Sequence, residues 1–209
     1  MSWLWLLLAP IGLAAAEAPR ISYSKSFPGS VPAYVAITVD RDGRGEYREA
    51  PDDASPVTFR LAGKETEEIF ALVDKLARFT RPLESNLKVA NTGIKTFRYQ
   101  SDAEDHAVKF NYSLDPDARL LWDWFERVAE TEQHFIALGR AARYDRLGVN
   151  QALLRLETSR DRNRLVATEQ FLKLLDRIAN NESYLHMARE RAAKLAESFR
   201  AAAAGNQQQ

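Results

Sequence analysis

The stretch Val31–Ala50, VPAYVAITVDRDGRGEYREA, constrains the fold more than any other in the chain. Val35, Ile37 and Val39 share one side and Ala36 and Thr38 the other, the period of two that marks a half-buried strand. Asp42-Gly43 supplies the positive φ of a tight turn, Gly45 permits a bulge beside it, and Tyr47 brings the chain back. The stretch therefore reads as a β-hairpin.

Strands flank it. Ile21–Ser24 alternates weakly, and Pro28-Gly29 and Pro32 make a bent connector into the hairpin. Val57, Phe59 and Leu61 alternate as a further strand. Lys64–Phe79 then follows helical spacing, with Ile69, Phe70, Val73, Leu76 and Ala77 on one face. Glu65, Glu67 and Glu68 suit its N-terminal dipole, Arg78 and Arg81 its C-terminal one, and Pro82 stops it. Phe97 and Tyr99 mark the next strand, and Val108, Phe110, Tyr112 and Leu114 alternate with Lys109, Asn111 and Ser113 as the clearest strand of all. The expected fold class is α+β: an antiparallel sheet packed on one helix over residues 17–114, followed by a C-terminal three-helix antiparallel bundle.

The pattern Gly29-x-x-Pro32-x-Tyr34-x-x-Ile37, then Asp42-Gly43 and Tyr47, resembles an uncharacterised domain of unknown function found in exported bacterial proteins. The resemblance covers Ile21–Leu114 and implies architecture and export, without an activity. That family commonly carries two cysteines before the hairpin. Phe27 and Val31 stand at the matching positions here, so no role of those cysteines transfers.

The bundle is expected over residues 115–204, with 205–209 as a disordered tail. Asp115-Pro116 is a capped helix start, and Leu121, Trp124, Phe125, Val128, Phe135, Leu138 and Ala142 keep a stripe towards Gly148. Asn150 is placed to cap a second helix running to about Ala179, with Val149 and Leu154 as a hydrophobic staple. Its middle, Glu157–Arg164 (ETSRDRNR), has no apolar stripe, so it must either project from the fold or meet a polar surface. Tyr184, Leu185, Ala188, Ala192, Leu195 and Phe199 mark the third helix. Trp122 and Trp124, two apart, point in different directions, one towards the core and the other towards the sheet or solvent.

The apolar run from Trp3 to Ala16, with Ala14-Ala15-Ala16 before Glu17, reads as a cleaved signal peptide over residues 1–16. About 14 apolar residues span only about 21 Å as a helix, short of a bilayer core of roughly 30 Å. The mature chain is expected in the periplasm or secreted, without stable membrane insertion. Lysine plus arginine equals aspartate plus glutamate at 29 each, so the basic excess that nucleic-acid binding relies on is missing. The chain has no cysteine, which removes disulfides, thiolate metal sites, cysteine nucleophiles and lipobox acylation.

No motif dictates a chemistry. Glu126, Glu130 and His134 recur at i, i+4 and i+8, and Glu182, His186 and Glu190 repeat the idea; facing each other they would bind a divalent metal. The spacing lacks Glu-x-x-His and His-Glu-x-x-His, and ordinary pairing on a solvated face explains both stripes. Asp40-x-Asp42-Gly43 lacks the remaining ligands of a calcium loop and reads as the hairpin turn. Arg160, Arg162 and Arg164, relieved by Asp161 and Glu157, read as a solvated helix surface. No nucleophile elbow, Gly-rich phosphate loop or catalytic triad is present. No catalytic, cofactor-binding or metal residue is therefore assigned. The expectation is a non-enzymatic binding or envelope-associated protein with an unknown protein or envelope partner. The alternative is an extracytoplasmic hydrolase with a site between sheet and helices, where His106 or His134 would meet a carboxylate in a concave pocket.

Overall fold

The structure, a computed structural model, describes residues 18–207. The signal-peptide reading of residues 1–16 lies outside the described residues. Six strands form one antiparallel sheet: β1 (Arg20–Ser26), β2 (Tyr34–Asp40), β3 (Arg44–Arg48), β4 (Val57–Arg60), β5 (Ile94–Gln100) and β6 (Asp105–Phe110), in the order β4-β3-β2-β1-β5-β6. The hairpin is β2–β3, with Ile37 opposite Tyr47 and Val39 opposite Gly45. Gly43 takes φ +82° in its turn, and the ring of Phe59 lies where a Cβ on Gly45 would stand.

Ile21, Tyr23, Ile37, Val39, Tyr47, Phe97 and Phe110 line the buried face. Two helices cover it, rather than one: α1 (Gly63–Lys75) and the first half of α2 (Pro116–Tyr144), which contributes Ala118, Leu121, Phe125 and Val128 to the same core. The reason is Phe125, which stacks on Tyr23 at 5.0 Å and packs against Phe97 at 6.0 Å. Asp115 caps α2 as its sequence requires, accepting from the amides of Asp117 and Ala118.

Helix α1 stops short of Pro82. Ala77, Arg78 and Phe79 take left-handed φ values of 51°, 49° and 65°, which costs about 1–2 kcal/mol per non-glycine residue. The reversal drives Phe79 into the core, 5.3 Å from Phe97 in a stacked contact. It also lets Arg78 donate to Asp74 and Glu104. Strand β6 ends at Phe110, before Tyr112 and Leu114, because Asn111 turns to the preceding loop. Its amide donates to Glu84 at 2.6 Å and its side-chain oxygen accepts from the amide of Thr92 at 2.9 Å.

The second expected helix breaks in two: α3 (Val149–Asp161) and α4 (Leu172–Ala179), with a 3-10 turn over Thr168–Phe171. The break follows the segment without an apolar stripe. Arg164 turns inward to Glu130 and Asp123, and Val166 enters the sheet core with its amide donating to Thr131. Asn150 does not cap α3. Asp145 accepts from the Gly148 amide, and the Asn150 side chain accepts from Arg191. Helix α5 (His186–Gln207) continues through residues 205–207, into the stretch read as a tail. A second core joins Leu138 of α2 to Leu153, Phe171, Leu175, Ile178, Ala188, Leu195 and Phe199, so it draws on four helices. Helix α2 belongs to both cores. No helix among the described residues is long and apolar enough to cross a membrane.

Candidate functional site

The Glu126–Glu130–His134 stripe on α2 divides between two unrelated polar clusters. Glu126 faces the end of the sheet, accepting from the Tyr23 hydroxyl at 2.7 Å, Trp122 Nε1 at 2.9 Å and Lys25 Nζ at 3.0 Å. Burial pushes its pKa up, but the bonds from Trp122 and Tyr23 and the charge of Lys25 outweigh that and hold it below the usual carboxylate range. Lys95 stands opposite Lys25 across β1 and β5 and is fully buried. Its ammonium donates to Thr92 Oγ1, Gly93 O and Asn111 O at 2.8–3.0 Å and lies 4.4 Å from the Trp122 ring. Burial first, and Lys25 second, pull its pKa down to about 8. This lysine fastens the 84–93 loop to the sheet; its nitrogen is enclosed by carbonyls and an indole and is shielded from any substrate.

Glu130 and His134 meet the last turn of α3. Ser159 Oγ donates to Glu130 at 2.6 Å and lies 2.9 Å from His134 Nε2, while Arg164 Nε donates to the second Glu130 oxygen at 3.1 Å. A serine whose proton is given to a carboxylate accepts from the histidine, so His134 is a donor here and no base. Burial lowers the His134 pKa, against the pull of Glu130. His134 stands 3.9 Å from Glu130, beyond hydrogen-bond reach, and touches it through Ser159. The cluster ties α3 to α2.

Glu182 lies exposed in the turn before α5 and His186 exposed at its start, where it approaches Glu190 at 3.5 Å. They do not meet the α2 stripe, and among the described residues no three His, Asp or Glu side chains are grouped to hold a metal ion. His106 lies on the edge strand β6, opposite Tyr99. Asp40 and Asp42 serve the hairpin turn, accepting from the amides of Gly43 and Arg44. Trp122 and Trp124 are both half-buried against the sheet core, and Arg127 lies over the Trp124 ring.

Between sheet and helices lies a cavity of about 250 Å³ lined by Arg60, Glu65, Arg127, Asn163, Val166 and Glu169. Burial raises the Glu65 pKa against the hydrogen bond from the Ala62 amide. No histidine or serine–histidine pair reaches this space, and 250 Å³ falls below the roughly 300–1,000 Å³ of ordinary ligand pockets.

A larger opening runs along the other end of α2. A groove of about 780 Å³ separates the C-terminal half of α2 from α4, with an apolar floor of Phe135, Ile136, Ala142, Leu174 and Tyr184. Arg140 and Arg143 rise from α2 and Lys173 and Arg177 from α4, and no acidic residue lines it. None of the four pairs with a carboxylate among the described residues; Arg143 meets only the ring of its neighbour Tyr144. Several arginines elsewhere do meet carboxylates: Arg98 with Asp105, Arg164 with Glu130 and Asp123, Arg191 with Glu157, Arg200 with Asp176. Like charges three or four residues apart on a helix are mutually unfavourable by a few tenths of a kcal/mol. The groove thus gathers unpaired positive charge in a chain whose net charge is zero.

Behind the groove, Glu132 is fully buried on α2, and Gln170 Nε2 donates to its Oε1 at 2.7 Å. Glu132 Oε2 and Gln170 Oε1 are both buried without a partner. Burial raises the Glu132 pKa to about 7 against the Gln170 bond. A proton on Oε2 would turn that orphaned oxygen into a donor.

These residues were hidden in the sequence for a reason. The groove cations each read as helix-surface charge, and only the packed fold gathers them around one groove. Lys95 did leave a signal: it occupies the inward position of Lys95-x-Phe97-x-Tyr99. Comparison with protein-family models, curated proteins and solved structures returns no match to this chain.

Proposed function

We propose that this chain is an exported, non-enzymatic binding protein of the cell envelope, and that the α2–α4 groove receives an anionic partner. The observation that carries the reading is the set of four unpaired cations flanking an apolar floor without an acidic residue. Unpaired like charges on both walls are retained at a cost to stability, and an anion relieves that cost. In this reading residues 1–16 direct export. The sheet unit of residues 17–114 anchors α2, and the helical unit of residues 115–204 presents the groove. The signal-like N-terminus and the hairpin pattern shared with exported proteins support the location.

A hydrolase has one observation in its favour, the contact of Ser159 with His134. The wiring opposes it, since the serine proton goes to Glu130 and Arg164 holds that carboxylate in place. Calorimetry with two anionic probes, an acidic amphipathic helical peptide and dodecanoate, tests the binding reading. At least one probe binds, more weakly as salt rises, and Arg140→Gln/Arg143→Gln/Lys173→Gln/Arg177→Gln abolishes binding while the fold persists. Failure of both probes, or equal binding by the variant, overturns it.

A further inference from the structure

We infer that the occupant of the groove is an anionic single-chain amphiphile, its hydrocarbon tail on the Phe135–Leu174–Tyr184 floor and its carboxylate or phosphate head held by the flanking arginines. The inference rests on the binding reading above and names the ligand class within it.

Size favours a small molecule over a protein. The groove is lined by 12 residues, where a standard protein interface engages roughly 20–30 per side. Its volume of about 780 Å³ lies within the roughly 300–1,000 Å³ typical of small-molecule sites. Chemistry favours a ligand with two ends. A free inorganic anion would leave Phe135, Ile136 and Leu174 wetted, and a neutral lipid would leave four cations unanswered. Arginine supplies the planar fork that takes carboxylate or phosphate oxygens in pairs.

The floor has room for a tail. Gly139 lies in it, and a Cβ built there meets nothing within 4 Å. Residues 135–144 of α2 give the trough a length of about 14 Å, at 1.5 Å per residue. The hydroxyl of Tyr184 donates to Ala142 O at 2.9 Å, fixing the α4–α5 turn against the end of α2. Tyr144, which lines the groove, is 76% exposed and offers apolar surface at its mouth.

The test titrates the full chain with dodecanoate below its micelle concentration, beside 1-dodecanol, acetate and the acidic helical peptide. Dodecanoate is expected to bind, acetate to give no detectable binding, and dodecanol to bind at least about tenfold more weakly, one unit of log Kd. Gly139→Leu fills the floor and improves helix propensity, so it is expected to weaken dodecanoate at least about tenfold without lowering Tm. Binding of the peptide but not dodecanoate overturns the ligand class and leaves the anionic-partner reading standing. Binding of neither overturns both. Binding to anionic phospholipid vesicles, with monomeric dodecanoate inert, overturns the amphiphile as the occupant. Equal dodecanoate binding by Gly139→Leu overturns the placement in the groove.

Discussion

Glu132 is the residue whose chemistry departs furthest from its solution behaviour. It faces Gln170 from the 3-10 turn before α4 and lies near the Tyr47 hydroxyl of β3, which itself meets Glu49 and Gln133. No cation is among the causes of its shift, so its charged form lacks a counterion. Its folded pKa of about 7 lies above the ordinary 4.5, so between those values the folded chain keeps a proton the unfolded chain has released. Its contribution to stability is therefore full below about pH 4.5 and is lost as pH rises through about 7. Glu132→Gln reproduces the protonated pairing without a titration, and is predicted to exceed wild type by about 2–3 kcal/mol at pH 8 but to match it near pH 4. Urea denaturation at the two pH values checks this. Lys95 makes the opposite case, a buried charge that is answered. Lys95→Ala strands the oxygens of Thr92, Gly93 and Asn111 and is predicted to cost about 2–4 kcal/mol by the same measurement.

At the scale of elements, the hairpin is the piece most legible from the chain. Its alternation and its Asp-Gly turn need nothing outside the stretch, and both are present in β2–β3. Gly45 has a different use from the expected bulge, since the Phe59 ring lies across its bare backbone. Gly45→Ala is predicted to displace that ring and lower stability by about 1–3 kcal/mol, read from the shift in the unfolding midpoint. Boundaries decided by tertiary contacts were not legible. Helix α1 ends early because Phe79 gains more from the core than from a continued helix, and β6 ends early because Asn111 is recruited by Glu84 and Thr92. Phe79→Ala removes the reason for the left-handed turn. It is predicted to cost about 3 kcal/mol, with backbone chemical shifts at residues 76–80 moving towards right-handed helix.

At the scale of the molecule, the chain is two cores strung on one helix. The first half of α2 closes the sheet and its second half forms one wall of the groove. The division into a sheet half and a helical half could be read from the switch in hydrophobic period. The sharing of α2 could not, because Phe125 and Leu138 belong to one continuous stripe. The groove was beyond sequence reading for a further reason. What sets Arg140, Arg143, Lys173 and Arg177 apart is that they line one apolar groove with no carboxylate in it, a property of the packed fold. A methyl chemical-shift map recorded on addition of dodecanoate tests this account most directly. Ile136, Ala142 and Leu174 are predicted to shift in a saturable way while Ile37, Val39 and Val108 of the sheet stay fixed. Shifts confined to the sheet, or none at all on the α2–α4 floor, would contradict it.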